Sequence, residues 1–339
     1  MGYVTFLFQH EKRNKTCTEG SKQSYDQGLG CFCIHVVFFK DTTQFIPRRQ
    51  RLGTTFRRMN ITTVCVCGAG TMGSGIAQVS AATGFQVVLY DFDSTVLNRA
   101  QLLLHEQLQK AVEKGKLEAA QKDLIFSRIL FTTNRQQCKA DLIIEAIAEN
   151  AALKIELFQQ LAALNSPDTL FASNTSSLSV SALAAELPFP ERMAGLHFFN
   201  PAPVMKLVEV VRGNRTSDAV IQTLMAFARS AGKIPVLCTD APGFIVNRVA
   251  RPFYLEALRL VEEGAASMEM VDRLLEQQGF KLGPFRLMDL IGNDINFAVS
   301  NSVYDQLGQP LRLRPSYIQK EKVEQGALGR KTGKGFYEY

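Results

Sequence analysis

The sequence predicts an α/β protein in which a doubly wound sheet is followed by an all-helical C-terminal domain. Three observations support this prediction. Short apolar runs of strand length alternate with helical segments between residues 59 and 242, as in stacked β–α–β units. A Gly-x-Gly-x-x-Gly loop directly follows the first of these runs. After residue 243 the strand-like runs stop, and helical patterns continue to residue 339.

Three segments are therefore expected: an N-terminal extension of residues 1–58, a sheet domain of residues 59–242 and a helical domain of residues 243–339. The extension carries 10 of the 38 Lys and Arg residues and 4 of the 32 Asp and Glu residues, so the whole net charge of +6 lies there. The remaining 28 basic and 28 acidic residues balance. The basic pI is thus no argument for nucleic-acid or membrane binding, and neither partner is expected.

The extension does not resemble the rest of the chain. The run that begins at Met59 leads directly into the first strand, so we expect a disordered, dispensable extension with true initiation at Met59. An organellar targeting segment is the alternative, although Glu11, Glu19 and Asp26 are unusual in such a segment. The odd number of scattered cysteines, seven, fits a reduced intracellular protein. We expect a cytoplasmic location, or the mitochondrial matrix if the extension is a targeting segment.

The elements of the sheet domain alternate in order along the chain. Residues 61–67 form an apolar run of buried-strand length. The first helix, 71–84, ends at Gly84, and Ser94 is expected to cap the N-terminus of a long helix, 94–114. Further strands are expected at residues 86–91, 129–132, 142–145, 169–173, 193–198, 206–211 and 234–238, and further helices at 117–127, 151–164, 179–186 and 217–231.

In the helical domain, apolar residues recur at helical spacing in four segments. Helices are expected at residues 246–263, 268–278, 285–307 and 316–325. No apolar run in the chain reaches the roughly 18 residues that a membrane-spanning helix needs.

The glycine loop indicates a dinucleotide site of Rossmann type. Gly68 permits the tight turn, Gly70 lets the backbone approach a pyrophosphate, and Gly73 lets the helix pack closely on the strand. Asp91 ends the second strand 18 residues after Gly73, where its carboxylate suits a ribose 2′-hydroxyl and would repel a 2′-phosphate. NAD is therefore the expected cofactor, in preference to NADP.

His197 and Glu209 are the candidate catalytic pair. A histidine backed by a carboxylate is a general base that works near neutral pH. Beside a dinucleotide site, that base can take the proton of an alcohol while a hydride leaves its carbon. No metal site is expected, since the Cys31-Phe-Cys33 pair has no partner motif.

The stretch around this pair resembles the active-site segment of the L-3-hydroxyacyl-CoA dehydrogenases, most closely the single-function bacterial 3-hydroxybutyryl-CoA dehydrogenases. The similarity extends from Met59 to Tyr339 and leaves residues 1–58 unmatched. The strings that carry it occur in the family's order, at residues 141–150, 171–178, 195–209, 242–248, 283–292 and 331–337.

The resemblance implies a role for each matching residue. His197 would take the proton of the substrate's 3-hydroxyl, and Glu209 would orient its imidazole. Ser176 and Asn247 would hydrogen-bond the oxygen that becomes the carbonyl. Asn200 would help to hold the nicotinamide.

Further roles follow for the cofactor and for coenzyme A. Glu149 and Lys154 resemble residues near the cofactor, and Lys331 resembles a nucleotide contact. Lys114 corresponds to a lysine that contacts CoA, with a solvated helix face as the alternative. Two departures from the family pattern are Gln107, where a serine is usual, and Arg286, where a glutamate is usual.

The expected activity is the NAD-dependent interconversion of (S)-3-hydroxyacyl-CoA and 3-oxoacyl-CoA in fatty acid or butanoate metabolism. A short acyl chain such as 3-hydroxybutyryl is expected, and the helical domain is expected to form a homodimer, as in the family. Two alternatives remain open at this point: a related NAD-dependent sugar-acid dehydrogenase, and a non-catalytic, crystallin-like protein on the same scaffold.

Overall fold

The computed structural model describes residues 61–339. The expectations for the extension 1–58 lie outside the described residues. Within them, a single sheet is followed by a group of helices, as predicted. No helix of this part of the chain combines the length and the apolar character that crossing a membrane would require.

The sheet has eight strands in the order β3-β2-β1-β4-β5-β6-β7-β8. Every neighbouring pair is parallel except β6 with β7, which is antiparallel. The strands are β1 Thr63–Cys67, β2 Gln86–Tyr90, β3 Ile129–Thr132, β4 Leu142–Glu145, β5 Leu170–Ser173, β6 Met193–Phe198, β7 Leu207–Arg212 and β8 Ile234–Thr239.

Eleven α-helices are described. Those of the sheet domain are α1 Thr71–Thr83, α2 Ser94–Glu113, α3 Ala119–Ser127, α4 Ala151–Leu164, α5 Val180–Ala185 and α6 Asp218–Ser230. Those of the helical domain are α7 Val246–Glu262, α8 Met268–Gln277, α9 Pro284–Ile291, α10 Asn293–Gln306 and α11 Tyr317–Glu324.

The sheet is buried on both faces, as the continuous apolar run of β1 predicts. Val64 and Val66 join one core cluster, which includes Ile76 of α1. Cys65 and Cys67 point to the opposite face and join a second cluster with α4. Because side chains alternate along a strand, helices on both faces require both sets to be apolar. The expected fold, a doubly wound sheet followed by a helical domain, is confirmed.

Two local expectations were wrong. The cap of α2 is Asp93 rather than Ser94, because the Asp93 carboxylate accepts the N–H groups of Thr95 and Val96. The single helix expected over residues 285–307 is two helices, α9 and α10. They are separated at Gly292, whose φ of 104° lies outside the helical range. The helical domain also contains two isolated β-bridges near its end, between Gly329, Lys334 and Glu338.

Candidate active site

His197 and Glu209 lie directly opposite each other in the antiparallel pair β6–β7. Residues that face each other in such a pair project their side chains to the same face of the sheet, a few ångströms apart. The imidazole Nδ1 lies 2.7 Å from Glu209 Oε2, and both side chains are buried. The hairpin thus explains why residues twelve apart in the sequence form one pair.

The second oxygen of Glu209 binds the start of the helical domain. Glu209 Oε1 accepts the backbone N–H groups of Ile245 at 3.0 Å and Val246 at 2.9 Å, at the N-terminus of α7. Burial raises the pKa of Glu209, but the hydrogen bonds from His197, Val246 and Ile245 outweigh it and lower the pKa below its ordinary value. Glu209 is therefore a carboxylate at neutral pH.

This arrangement prepares His197 to accept a proton. An ionised carboxylate at Nδ1 favours the tautomer that keeps its hydrogen there, so that Nε2 carries the free lone pair. Within residues 61–339 no protein group hydrogen-bonds Nε2. The rings of Phe199 and Phe244 flank the imidazole, with centroids 4.5 and 5.9 Å from it.

The loop after β5 lies beside this pair. Asn174 Oδ1 accepts the N–H of Phe198 at 2.8 Å, which ties the loop to the end of β6. Asn247, in the first turn of α7, donates from Nδ2 to the Ser176 carbonyl at 3.3 Å. Ser176, Asn247 and the His197–Glu209 pair are thereby brought together where the two domains meet.

Glu149 contacts this loop directly, and Lys154 pairs with Glu149. Glu149 Oε1 accepts the hydroxyl of Thr175 at 2.5 Å and the backbone N–H of Ser176 at 3.1 Å. Lys154 Nζ lies 3.1 Å from Glu149 Oε2 and 2.6 Å from Glu145 Oε1. Lys154 and Glu145 are almost completely buried. Lys154 thus supports the loop through its ion pair with Glu149.

Glu145 was not singled out in the sequence. It ends β4, where its two oxygens accept Lys154 Nζ and, at 2.5 Å, the Ser173 hydroxyl. Burial raises the pKa of Glu145, although Lys154 and Ser173 act against the shift. One signal was present: Lys154 stands on the same helix face as Phe158 and Leu161, both buried. A lysine on an apolar helix face needs a buried anionic partner.

The described residues of the glycine loop fit a dinucleotide. Gly68 has φ 103°, and a Cβ there would lie 2.6 Å from the Ala146 carbonyl oxygen. A Cβ at Gly73 would collide with the Gly68 carbonyl oxygen. At Gly70 a Cβ would meet no described protein atom within 4 Å, so the open space there is available to a ligand. Asp91 Oδ2 accepts the Ala69 N–H at 2.7 Å, so its carboxylate stands beside this loop.

The remaining predicted residues lie apart from these contacts. Lys331 Nζ lies 2.6 Å from both carboxylate oxygens of Asp294, within the helical domain. Asn200 is exposed just after β6, and Lys114 is exposed at the C-terminal end of α2.

The structure also shows where Gln107 and Arg286, the two departures from the family pattern, lie. Gln107 is exposed on α2. Arg286 forms an ion pair at 3.0 Å with Glu276, and its guanidinium lies 5.0 Å from the ring centre of Tyr337. Arg286 thus has a structural partner within the helical domain.

The glycine loop and the carboxylate-held histidine lie at the same edge of the sheet, at the carboxyl ends of the parallel strands, where such folds bind their ligands. Fold and site together define an NAD-linked dehydrogenase.

The comparison with protein families agrees. The model of the 3-hydroxyacyl-CoA dehydrogenase NAD-binding domain matches residues 63–241, and that of the C-terminal domain of the same family matches residues 243–339. The chain belongs to the 3-hydroxyacyl-CoA dehydrogenase family. The expectations of this family, of an oxidoreductase and of NAD as cofactor are confirmed.

Among individual relatives, a 3-hydroxyadipyl-CoA dehydrogenase of Escherichia coli is 49% identical over 83% of this chain and 60% of its own length. A probable 3-hydroxybutyryl-CoA dehydrogenase of Deinococcus radiodurans is 42% identical over 81% of this chain and 99% of its own length. Among solved structures, (S)-3-hydroxybutyryl-CoA dehydrogenase of Ralstonia eutropha matches with a TM-score of 0.79 and 38% identity. That match covers 83% of this chain and 99% of the other. The chain thus spans less than two thirds of the E. coli relative, but nearly the whole of the other two.

Proposed function

We propose that the protein catalyses the reversible, NAD-dependent oxidation of short-chain (S)-3-hydroxyacyl-CoA to 3-oxoacyl-CoA. The observation that carries the proposal is the His197–Glu209 pair, held at 2.7 Å beside the Ser176–Asn247 contact. The family supplies the substrate class, and the names of the relatives supply the short acyl groups: 3-hydroxybutyryl and 3-hydroxyadipyl.

In the oxidation, His197 Nε2 takes the proton of the 3-hydroxyl group. Bound NAD supplies the acceptor for the hydride that leaves carbon 3. The imidazole becomes positively charged, and Glu209 compensates that charge without moving, because it already lies at hydrogen-bond distance. The Ser176 hydroxyl and the Asn247 amide stabilise the substrate oxygen as it becomes a carbonyl.

For the cofactor, we propose that Gly68, Gly70 and Gly73 admit the pyrophosphate and that Asp91 binds the adenosine ribose. Asn200, Glu149, Lys154 and Lys331 remain proposed residues of the cofactor site. Lys114 is proposed to contact the phosphates of CoA, as an exposed cation at the end of α2.

The proposal is tested by steady-state assays with acetoacetyl-CoA and longer 3-oxoacyl-CoA substrates, with NADH and NADPH in parallel. We expect the highest kcat/KM with a short chain and NADH. Absence of turnover with every 3-oxoacyl-CoA, or a preference for NADPH, would contradict it.

We also propose that the protein is a homodimer that associates through its helical domain. Met270 and Leu274 are 65% and 62% exposed on α8. Positions four apart lie on one helix face, so the two side chains form one exposed apolar patch that a second copy of the chain can cover. Light scattering should give the mass of a dimer for the native chain and that of a monomer after Met270→Glu with Leu274→Glu. A monomeric native chain would refute the proposal.

We also propose a domain boundary between the sheet and the helices that follow it. The limits of the two family matches support a boundary between residues 242 and 243, which limited proteolysis can test.

A cytoplasmic location, with the mitochondrial matrix as the alternative, is supported by the free thiols of Cys65, Cys67, Cys138 and Cys238. Fractionation of cells that express the full chain distinguishes the two compartments.

A further inference from the structure

Arg251 is a buried arginine on α7, one helical turn after Asn247. It is only 3% exposed. Its Nε donates to the Asn247 carbonyl at 3.1 Å, and its Nη1 donates to the Asn296 carbonyl at 2.9 Å and to the Ser300 hydroxyl at 2.8 Å. The side chain therefore lies between α7 and α10, close to the residues proposed to bind the substrate oxygen.

The charge of Arg251 has no acidic partner among residues 61–339. The ion pairs of this part of the chain include Arg259 with Glu256 and Arg286 with Glu276, but none with Arg251. Burial lowers the pKa of Arg251 to about 10, so the guanidinium stays charged at neutral pH. A buried charge without a counter-charge is costly, which makes this position receptive to an anion.

Part of the guanidinium is also available to a ligand. Of its five N–H donors, those on Nε and Nη1 bind oxygen atoms, whereas Nη2 forms no hydrogen bond to any described residue. The centre of the Tyr254 ring lies 4.9 Å from the guanidinium carbon, and a ring face is a much weaker partner for these donors than a carboxylate. The donors on Nη2 suit a carboxylate.

The distance along the helix fits a short acyl chain. Asn247 and Arg251 are four residues apart and lie on one face of α7, separated by about one turn of 5.4 Å. In a six-carbon acyl group that ends in an acid, three carbon–carbon bonds of about 1.5 Å each separate carbon 3 from the terminal carboxyl carbon. An acyl chain whose 3-oxygen is at Asn247 can therefore extend its terminal carboxylate to Arg251.

The helix α10 contacts both Arg251 and the loop that carries Ser176. Its Ser300 accepts from Arg251 at 2.8 Å, and its Gln306 donates from Nε2 to the Ser177 carbonyl at 2.8 Å. The same helix thus contacts the arginine and the loop that carries Ser176.

We propose that Arg251 binds the terminal carboxylate of the substrate, and that the preferred substrates are 3-hydroxyacyl-CoA thioesters whose acyl chain ends in a carboxylate. This inference rests on the proposed function and specifies its substrate class. A short monocarboxylic acyl group remains a substrate, but it leaves the charge of Arg251 uncompensated.

The first experiment uses the native chain alone. Values of kcat/KM are measured for 3-hydroxyadipyl-CoA, for its terminal methyl ester and for 3-hydroxybutyryl-CoA. The free acid should exceed the ester by about 10- to 100-fold, the range expected for hydrogen bonds to a charged group. Equal values for acid and ester would overturn the inference while leaving the proposed function intact. No turnover of any of the three would refute the proposed function itself.

The second experiment compares Arg251→Met with Arg259→Gln. Arg259 lies two turns further along α7 and already has Glu256 as its partner. Arg251→Met should lower kcat/KM for 3-hydroxyadipyl-CoA by about 10- to 100-fold and that for 3-hydroxybutyryl-CoA by less than about threefold. Arg259→Gln should change neither. Equal losses with both substrates in Arg251→Met would show a merely structural arginine, and thermal unfolding of each variant verifies that it is folded.

Discussion

Two groups of charged and polar side chains are connected to the loop that carries Ser176, and they differ in which of their atoms remain without a protein partner. His197 and Glu209 form one pair at 2.7 Å, and no described protein group binds the imidazole Nε2. In the other, Lys154 lies between Glu145 at 2.6 Å and Glu149 at 3.1 Å. The first group keeps the imidazole Nε2 available for the substrate, whereas the lysine of the second group has two carboxylates of the protein as partners.

The difference suggests that the first pair acts in catalysis and that the second group stabilises the structure. An imidazole gains and loses a proton near neutral pH, and Glu209 stabilises its charged form. Lys154 pairs with two carboxylates, and one of them, Glu149, fixes the backbone of the loop. We therefore expect changes in the first pair to affect turnover and changes in the second group to affect folding.

The largest effect is expected for His197→Gln. Loss of the base should lower kcat by about 10²- to 10⁴-fold, the usual contribution of general-base catalysis, with a modest change in KM. Steady-state assays at saturating substrate measure it. Turnover near the native value would show that His197 is not the base.

Lys154→Met should instead lower stability. Removal of Lys154 leaves the buried Glu145 without its partner, so the free energy of unfolding should fall by about 3–5 kcal/mol. Urea unfolding measures this loss. Lys110→Met is the matched control, since Lys110 pairs with Glu106 at 3.8 Å on an exposed surface and should contribute less than about 1 kcal/mol. Equal losses of stability in both variants would show that Lys154 contributes no more to folding than an exposed lysine does.

A smaller effect is expected at the cofactor loop. Asp91→Ala should raise KM for NAD about tenfold, because a charge-assisted hydrogen bond to the ribose is lost, and change KM for the acyl-CoA little. Asp91→Asn keeps an oxygen that can accept the Ala69 N–H, so it separates the shape of the loop from ribose binding. If KM for NAD stays the same in Asp91→Ala, the ribose contact does not exist.

No effect is expected from the extension. A chain that begins at Met59 should unfold at the same temperature as the full chain and have the same kcat/KM. This variant tests whether stability and activity depend only on the residues that match the family. An insoluble or inactive product would assign a structural role to residues 1–58.

The sequence predicted the features that local patterns encode. The glycine loop and the alternating runs indicated the sheet, and the cores on its two faces follow from the apolar run of β1. The break at Gly292 was missed because helical periodicity continues on both sides of it, and a single glycine does not by itself end a helix.

Long-range partners could not be read from the chain. The spacing of His197 and Glu209 does not specify an antiparallel pair in direct register, which the structure shows. The partner of Lys154, Glu145, lies on a neighbouring strand, and their contact depends on how α4 packs. The N–H groups of α7 that bind Glu209 come from the other domain. Tertiary packing, rather than local propensity, assembles the site.

Steady-state oxidation of a 3-hydroxyacyl-CoA by the native chain and by Glu209→Gln tests the central claim most directly. The pKa of Glu209 lies below its ordinary value, so the native side chain is a carboxylate at neutral pH. Glutamine keeps the size of the side chain and an oxygen that can accept the hydrogen of Nδ1, but it lacks the charge that compensates the imidazole when His197 takes the proton of the substrate. In Glu209→Gln, kcat should therefore fall by about 10²- to 10³-fold with little change in KM. A kcat near the native value in Glu209→Gln would contradict the account.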